Sequence, residues 1–411
     1  MIRIPKLLEN RDYRFHLSGL FVSAIGDGMQ FVATSWLATT LTGKGYAAAL
    51  VLIFHALPGV LFAPFAGVLA DQLERRKLAA IADTFRALVL ILIPILFWFG
   101  KLEVWHLYAM SFLDACGDIV SRPARSRLVR EIVPAERLLE ANTMSMTCLQ
   151  FGLILGAMSS GFIIAAFSPV VVMVVNAISF LVAAACTLLI RPVAQAINTA
   201  RESAGWRAFL QDFRLGLEYL RANPQLAFYY LIGLMLSSTA QSMNALIVPF
   251  VRNTLGLSAD ALGLIDGSWA AGAALAGLIL SLLTKRFSRA TLMVWGPVAV
   301  GLSLVFCAAA NGLLWAMLGF LLMGAFTRTN VLYRTTAQEK TQLEFQGRVE
   351  GAFGTLTSLV FLLLYATMGA AQEFFSPRVL MLVFAAIIAL GAVWAWWTLL
   401  ARGQTAAQPT D

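Results

Sequence analysis

Charged residues are scarce in this chain, and long polar stretches are nearly absent. Aspartate, glutamate, lysine and arginine make up 13% of the 411 residues, against about 25% in soluble domains. Hydrophobic residues reach 59%, and the mean hydropathy is +0.78. This composition excludes an ordinary soluble domain and predicts a protein that is embedded in a membrane.

Residues that hold metals, disulfides or nucleotides are also few. The chain has three histidines without a neighbouring ligand set, and its four cysteines show neither paired nor metal-type spacing. It lacks the Gly-x-x-x-x-Gly-Lys-Ser/Thr loop that holds nucleotide phosphates. No protease, hydrolase or redox constellation is present. We therefore expect no cofactor, no metal and no enzyme activity, and we expect an ion gradient or the substrate's own gradient to supply the work.

The basic residues follow a regular pattern along the chain. Twenty-four of the 30 lysines and arginines lie in seven short segments that alternate with loops of low charge. The basic segments begin at Arg3, Arg75, Arg122, Arg191, Lys285, Arg334 and Arg402. Basic loops are retained on the cytoplasmic side of a membrane, so we predict cytoplasmic N- and C-termini. The net charge of +8 then marks topology and contact with anionic membrane lipids, and we expect no nucleic-acid binding.

Long apolar runs separate these basic segments. Six runs precede residue 191 and six follow residue 225, and each approaches the ~20 residues that span a bilayer. We predict an all-α membrane protein with twelve transmembrane helices in two pseudo-symmetric six-helix bundles, residues 1–190 and 226–411. We expect no removable signal peptide, because the first apolar run lacks a short hydrophobic region and a cleavage site.

Residues 191–225 are predicted to form a cytoplasmic linker. Apolar side chains recur there at helical spacing, at Trp206, Phe209, Phe213, Leu217 and Leu220. This pattern predicts an amphipathic helix on the inner membrane face.

The segment from Gly67 to Lys77, with Asp71, Arg75 and Arg76, resembles the signature loop between helices two and three of the major facilitator superfamily. Gln72 and Glu74 depart from that signature. Further landmarks resemble its enterobactin-exporter-like and macrolide-efflux-like branch, the transmembrane secretion effectors; they are Gly26-Asp27, Arg122-Pro123-Ala124, Asn176 to Phe180 and Gly347-Arg348-Val349. The resemblance implies a transporter that works by alternating access, with helices one, four, seven and ten around a central cavity.

Three aspartates lie inside predicted spans, where a charge costs about 2.5–3.5 kcal/mol on insertion scales. Asp27 is the first candidate for proton coupling, because Gly26 and Gly28 beside it leave room for water or substrate; helix packing is the alternative. Asp114 is the second, since it shares one face of the fourth helix with Asp118 and Arg122. We expect Asp118 and Arg122 to form an ion pair. For Asp266 we favour a packing role over coupling.

Candidate substrate contacts lie in the second half of the chain. The seventh span contains six polar residues between Ser237 and Asn244, and Gln241 and Asn244 share one of its faces. Polar groups in a membrane helix bond to other helices or line a wet cavity. Arg328 is either a counter-ion or docking group for an anionic substrate, or an arginine that extends towards the inner interface.

A third group lies at the predicted inner membrane edge. Opposite charges there can hold helix ends together in one state and release them in the other. The candidate gating residues are Gly67, Asp71, Arg75, Arg76, Asp83 and Arg122. Arg86, one turn past Asp83, is expected to pair with it.

Together these patterns predict a secondary active exporter of an amphipathic small molecule, either drug-like or a siderophore. We expect antiport with protons or another coupling cation, and a monomer in the bacterial inner membrane. Lysophospholipid transport is the alternative within the superfamily. A membrane scaffold or receptor without transport is the alternative of another class.

Overall fold

The computed structural model describes residues 6–72, 74–191 and 206–401, and the chain in these ranges is built from helices. The first six α-helices are α1 (Arg11–Thr42), α2 (Tyr46–Gln72), α3 (Arg75–Trp98), α4 (Val104–Ile132), α5 (Leu138–Ala166) and α6 (Pro169–Leu188). The next four are α7 (Trp206–Ala222), α8 (Pro224–Pro249), α9 (Ala259–Arg286) and α10 (Arg289–Ala309). The last four are α11 (Leu313–Thr327), α12 (Asn330–Lys340), α13 (Leu343–Ala371) and α14 (Pro377–Trp396). Short π-helical turns extend α8 through Phe250–Thr254 and α14 through Trp397–Ala401.

Each of the twelve apolar runs lies on one of these helices, and α7 and α12 lie outside the runs. Seven helical stretches among the described residues are long and apolar enough to cross a membrane. They are Arg75–Trp98, Leu138–Ala166, Pro169–Leu188, Pro224–Thr254, Arg289–Ala309, Glu344–Ala371 and Pro377–Leu400. The count of twelve spans and the cytoplasmic location of the termini stay predictions.

Polar caps and prolines define where several helices begin. Ser168 precedes Pro169 at the start of α6, and its hydroxyl accepts a hydrogen bond from the Val170 amide at 3.1 Å. Asn10 caps α1 in the same way, accepting from the Asp12 amide at 2.9 Å. A side-chain acceptor satisfies a free amide of the first turn, and proline in that turn needs no partner. The loops between helices can therefore be short.

The chain divides into an N-terminal unit, Met1–Phe209, and a C-terminal unit, Leu210–Asp411. Within the N-terminal unit α1 packs on α5 and α6, α3 packs on α4 and α6, and α2 packs on α4. Within the C-terminal unit α8 packs on α13 and α14, α10 packs on α11 and α14, and α9 packs on α11. The two sets of pairs follow the same order along the chain, as expected for a structural repeat.

Glycines allow the closest helix contacts in each unit. A Cβ atom at Gly156 on α5 would lie 2.0 Å from the backbone oxygen of Ile25 on α1. A Cβ atom at Gly324 on α11 would lie 2.1 Å from the backbone oxygen of Trp269 on α9. Small residues at such crossings let backbones approach, which is how membrane helices gain packing energy.

The predicted amphipathic helix is present as α7. Its Gly216 faces α13, where an added Cβ would lie 2.5 Å from the backbone oxygen of Arg348. The rings of Tyr219 and Phe345 stack with centroids 4.6 Å apart. Arg348 Nε donates to Asp212 Oδ1 at 3.1 Å. The helix therefore packs against the start of α13, while residues 192–205 of the predicted linker lie outside the described part of the chain.

The outer surfaces of the helices are apolar. Leu302 on α10 is 66% exposed, Leu390 on α14 is 73% exposed and Ile81 on α3 is 66% exposed. Soluble monomers rarely expose large continuous apolar surfaces. Side chains of this kind along long helices are typical of contact with hydrocarbon, which agrees with a multi-pass membrane protein.

Candidate functional site

Arg86, on α3, lies at the centre of a charged cluster inside the N-terminal unit. Its Nη2 atom donates to Asp27 Oδ1 on α1 at 2.9 Å. Its Nε atom donates to Asp114 Oδ1 on α4 at 2.8 Å. Its Nη1 atom lies 3.7 Å from Asp118 Oδ1, one turn further along α4. One guanidinium thus links three helices through three carboxylates.

The surroundings of Arg86 explain how a charged side chain fits between helices. The residue is only 3% exposed, and its guanidinium lies 3.9 Å from the ring centroid of Phe180 on α6. Such a contact is favourable because the ring face is electron-rich. A Cβ at Gly117 would lie 2.6 Å from Arg86 Cγ, so the glycine gives the arginine its space on α4.

Amide side chains extend the cluster towards α6. Gln30 Nε2 donates to Asp114 Oδ2 at 3.3 Å, and Asn176 Nδ2 donates to Gln30 Oε1. Ser179 in turn donates to Asn176 Oδ1 at 2.8 Å. The side chains of Gln30, Asn176 and Ser179 thus each have a hydrogen-bond partner, which is what burial of such groups requires.

The glycines beside Asp27 have a different role from the predicted one. A Cβ at Gly26 would lie 1.9 Å from Asn176 Oδ1, and a Cβ at Gly28 would lie 2.3 Å from the backbone oxygen of Leu153. Neighbouring helices therefore fill the space that we expected to be open to water or substrate. These glycines allow close packing of α1 against α5 and α6.

The three aspartates differ in access to solvent. The side chain of Asp27 is 29% exposed and that of Asp114 is 2% exposed. Asp118 also accepts from Arg122 at 2.7 Å, as predicted, but the side chain of Arg122 is 78% exposed. One buried positive charge therefore faces three negative charges, and Asp27 is the most accessible of the three.

Asp83 does not pair with Arg86, so that expectation is wrong. Asp83 instead accepts from Ser121 at 3.0 Å and pairs with Arg125. Helices α3 and α4 pack against each other, and Asp83 and Arg86 on α3 each meet side chains on α4. Spacing along α3 predicted a pair between Asp83 and Arg86, but in the structure each of these residues contacts α4 instead.

The other predicted gating residues lie near the start of α3. Arg75 pairs with Glu131 on α4. Arg76 Nη1 donates to the backbone oxygen of Ile190 at 2.9 Å, just past α6. A hydrogen bond from Lys77 to Glu74 lowers the pKa of Glu74 below its ordinary value. Gly67 and Asp71 lie on α2, and the side chain of Asp71 lies outside the described part of the structure.

The predicted substrate residues occupy the C-terminal unit. Gln241 Oε1, on α8, accepts from Asn244 Nδ2 at 2.8 Å and from the Tyr365 hydroxyl on α13 at 3.1 Å. Arg328 follows the last turn of α11, and among the described residues no hydrogen bond or ion pair involves its side chain. The first two candidates are therefore brought together, while Arg328 lies in the turn between α11 and α12.

The sequence analysis did not identify several members of these networks. Asn176 and Phe180 belong to the segment that resembles other transporters, and this signal marked them without indicating a role. Arg125, Glu131 and Tyr365 gave no signal of their own.

A family model described as transmembrane secretion effector matches residues 8–356. The chain belongs to this family of major facilitator superfamily transporters. The matched stretch includes the Arg86 cluster as well as Gln241, Asn244 and Arg328. The family confirms the branch that the sequence resembled.

Relatives extend over most of the chain. An uncharacterised MFS-type transporter of Bacillus subtilis (strain 168) is 25% identical, covering 89% of this chain and 88% of its own. The macrolide efflux protein A of Streptococcus pyogenes is 21% identical over 83% of this chain and 84% of its own. A lysophospholipid transporter of Cronobacter sakazakii is 22% identical over 74% of each chain.

The fold has counterparts among solved structures. A mutant of the nucleoside transporter NupG superposes with a TM-score of 0.77, covering 94% of this chain and 99% of its own. The sequences are only 14% identical, so this likeness shows the shared transporter fold alone.

Proposed function

We propose that the protein is a secondary active exporter that moves an amphipathic small molecule across the bacterial inner membrane in exchange for protons. The observation on which this proposal rests is the sharing of the single Arg86 guanidinium by Asp27, Asp114 and Asp118. A transporter family and a macrolide efflux relative support the outward movement of a drug-like molecule. A siderophore is a further substrate of the same amphipathic kind.

The charge count supports proton coupling at Asp27. Three carboxylates face two arginines, Arg86 and the Arg122 that pairs with Asp118, so one negative charge is in excess, and burial disfavours it. A proton relieves that excess most easily at the carboxyl with the best access, which is Asp27. Protonation weakens its link to Arg86 and so frees α1 from α3. Asp114, nearly fully buried against the same guanidinium, keeps Arg86 in place while this happens.

Charged contacts at the start of α3 support a gating role. Arg75 and Arg76 connect α3 to α4 and to the end of α6, and Asp83 connects α3 to α4 about two turns further on. We assign these residues, with Gly67, Asp71 and Arg122, to a latch on the cytoplasmic side. Ion pairs between helices suit such a role because they can form in one state of the cycle and open in the other.

We assign substrate contact to Gln241, Asn244 and Arg328. Gln241 and Asn244 on α8 form a polar patch with Tyr365 on α13. The guanidinium of Arg328, which has no hydrogen-bond partner among the described residues, supplies donors for a substrate's oxygen atoms. The protein acts as a monomer surrounded by membrane lipid in this proposal.

Lysophospholipid transport is the second candidate, and the relative from Cronobacter sakazakii favours it. A lysophospholipid is also amphipathic, so the two proposals differ in the substrate and share the transport cycle. A scaffold or receptor without transport is the third outcome of the test.

The decisive experiment measures flux in vesicles that contain the purified protein and a pH-sensitive dye. A labelled macrolide and a labelled lysophospholipid are tested separately, with wild type, Asp27→Asn and the control Asp260→Asn. We expect macrolide flux to move protons in wild type and control, and Asp27→Asn to abolish the proton movement. Equal proton movement in all three contradicts the role of Asp27. Flux of the lysophospholipid without flux of the macrolide favours the second candidate. If neither compound is transported, both transport proposals are contradicted.

A further inference from the structure

Glu350 on α13 connects three helices of the C-terminal unit. Its Oε1 atom accepts from the hydroxyl of Tyr230 on α8 and from Nε2 of Gln338 on α12, each at 3.0 Å. Its Oε2 atom accepts from Nη2 of Arg334 on α12 at 3.1 Å. One carboxylate therefore links α8, α12 and α13, as the guanidinium of Arg86 links three helices of the N-terminal unit.

The Glu350 cluster, which consists of Glu350, Tyr230, Arg334 and Gln338, lies near the helix ends that the pattern of basic residues predicts to be cytoplasmic. Tyr230 is the seventh residue of α8, and Glu350 is the eighth residue of α13. Tyr230 is 2% exposed, while the side chains of Glu350 and Arg334 are 23% and 64% exposed. The cluster is therefore enclosed by protein at α8 and accessible to water at α12.

A sequence landmark without an assigned role directly precedes Glu350. It is Gly347-Arg348-Val349, which opens α13 together with the first residues of that helix. Val349 is fully buried, and Arg348 forms an ion pair with Asp212 on α7. These neighbours fix the rotation of α13 about its axis, and this rotation directs Glu350 towards α8 and α12.

Polar side chains continue from the Glu350 cluster along the contact between α8 and α13. Gln241 on α8 accepts from the hydroxyl of Tyr365 on α13 at 3.1 Å, so the contacts between the two helices follow the same order along both. Ser237 on α8 and Thr357 on α13 each lie seven residues beyond the member of the cluster on their own helix. Seven residues correspond to about 10 Å along a helix, which places Ser237 and Thr357 in one layer between the cluster and Gln241.

This layer has unused hydrogen-bonding capacity. Asn330 Nδ2, at the start of α12, donates to Ser237 Oγ at 3.1 Å, so three helices contribute to the layer. The Asn330 Oδ1 and Thr357 Oγ1 atoms are buried, and neither has a hydrogen-bond partner in the described part of the chain. Buried polar atoms normally have partners. A polar column therefore extends from the Glu350 cluster to the patch around Gln241, and it can bond to the polar groups of a substrate.

We propose that Glu350 is the gating residue of the C-terminal unit. Its bonds hold the cytoplasmic ends of α8, α12 and α13 together and close the polar column. Their release opens the column to substrate from the cytoplasm, and the exposed guanidinium of Arg334 can then exchange the carboxylate for water. The inference rests on the proposed function, because it supplies the route to the substrate contacts that we assign to Gln241 and Asn244.

The gate is tested by the reactivity of a cysteine in the column, on the purified full-length protein in detergent. In a variant without the four native cysteines, Thr357→Cys introduces a thiol where no hydrogen bond is lost. Glu350→Ala removes all three contacts of the carboxylate and should speed alkylation by a maleimide about tenfold, as for a tenfold shift of the closed state. Glu350→Gln keeps an oxygen atom that can accept from Tyr230 and Gln338, so its increase should be smaller.

Glu344→Ala is the matched control, because it makes the same chemical change at an exposed residue in the first turn of α13. It should leave the alkylation of Thr357→Cys unchanged. Size-exclusion profiles identify any variant that fails to fold. Equal rates for Glu350→Ala and Glu344→Ala overturn the proposal. If Glu350→Ala does not fold, an unchanged rate for Glu350→Gln overturns it.

Macrolide flux in vesicles separates a gating role from damage to the fold. A gate that opens too easily raises the population that accepts substrate from the cytoplasm and slows the return to the closed state. Glu350→Gln should therefore lower KM and the maximal rate together, each about threefold, whereas a loss of folded molecules lowers the maximal rate alone.

The same measurements distinguish this inference from the proposed function. An unchanged KM for Glu350→Gln contradicts the gate and leaves the exporter intact. If Glu350→Ala speeds alkylation but wild type transports no macrolide, the exporter is contradicted and the closing contact at Glu350 stands.

Discussion

Arg86 on α3 and Asp114 on α4 form an ion pair of 2.8 Å in which the arginine side chain is 4% exposed and the aspartate side chain 2% exposed. Removing one partner of such a pair leaves a charge without compensation in a medium of low dielectric constant. The same arginine holds Asp27, the carboxyl to which we assign proton exchange. Structural stability and the coupling step therefore depend on one guanidinium.

Replacing Arg86 with glutamine should destabilise the protein strongly. Three carboxylates lose their shared cation, and breaking a buried pair costs about 3–5 kcal/mol. Thermal unfolding of the purified protein measures the loss. Arg122→Gln is the control, since this largely exposed arginine should contribute less than about 1 kcal/mol. Similar unfolding temperatures for the two variants contradict a central role for Arg86.

Asp27→Asn and Asp114→Asn should differ in stability although both remove one negative charge. Asp114 accepts from two atoms of Arg86 and from Gln30, so its loss should cost about 3 kcal/mol. Asp27 makes one contact with Arg86 and is partly exposed, so its loss should cost less than about 1 kcal/mol. Thermal unfolding of both variants tests the order. If Asp27→Asn loses more stability than Asp114→Asn, neutralising Asp27 disrupts the fold. That outcome contradicts the assignment of proton exchange to Asp27.

Much of the helical framework could be predicted from the sequence, because bilayer thickness sets the length of each apolar run. The last apolar run before residue 191, for example, lies on α6, Pro169–Leu188, which is 20 residues long. Contacts within one helix were also accessible, since Asp118 and Arg122 are one turn apart and do pair. Both inferences depend on local spacing alone.

The partners of Arg86 could not be predicted in this way. Asp27 lies 59 positions before it and Asp114 lies 28 positions after it, and only the rotation of each helix about its axis brings them together. Local spacing instead favoured Asp83, which bonds to α4 through Ser121 and Arg125. A single sequence contains no record of helix rotation, so contacts between helices had to come from the structure.

Gly156→Ala should lower stability by about 1–3 kcal/mol, the usual cost of overpacking a close contact. Its new methyl group would lie 2.0 Å from the Ile25 backbone, which cannot move without displacing α1. Gly354→Ala on α13 is the control, because nothing lies within 4 Å of the added atom. There, the helix preference of alanine should raise stability by about 0.5–1 kcal/mol. A lower unfolding temperature for Gly156→Ala together with a higher one for Gly354→Ala supports close packing of α1 on α5. Shifts of both temperatures in the same direction contradict it.

The Arg75–Glu131 pair provides the test of the proposed latch. Beneath it, Leu78, Ala79 and Ala124 form a buried apolar contact between α3 and α4, so opening of the latch should expose position 124. In a variant without the four native cysteines, we introduce Ala124→Cys and measure its alkylation by a maleimide. Arg75→Glu should speed the reaction about tenfold, as for a shift of about 1.4 kcal/mol in the closed state.

The exchange of both charges, Arg75→Glu with Glu131→Arg, should restore slow alkylation because it recreates the pair in reverse. Leu139→Cys, at a residue that is 81% exposed, should react at the same rate in every variant and so reports any change in the reagent or the membrane. If the single and double variants react alike at position 124, the ion pair does not hold α3 against α4. The gate must then depend on the hydrogen bonds from the Arg76 side chain to backbone oxygens at the end of α6. An Arg76→Ala variant would remove these bonds.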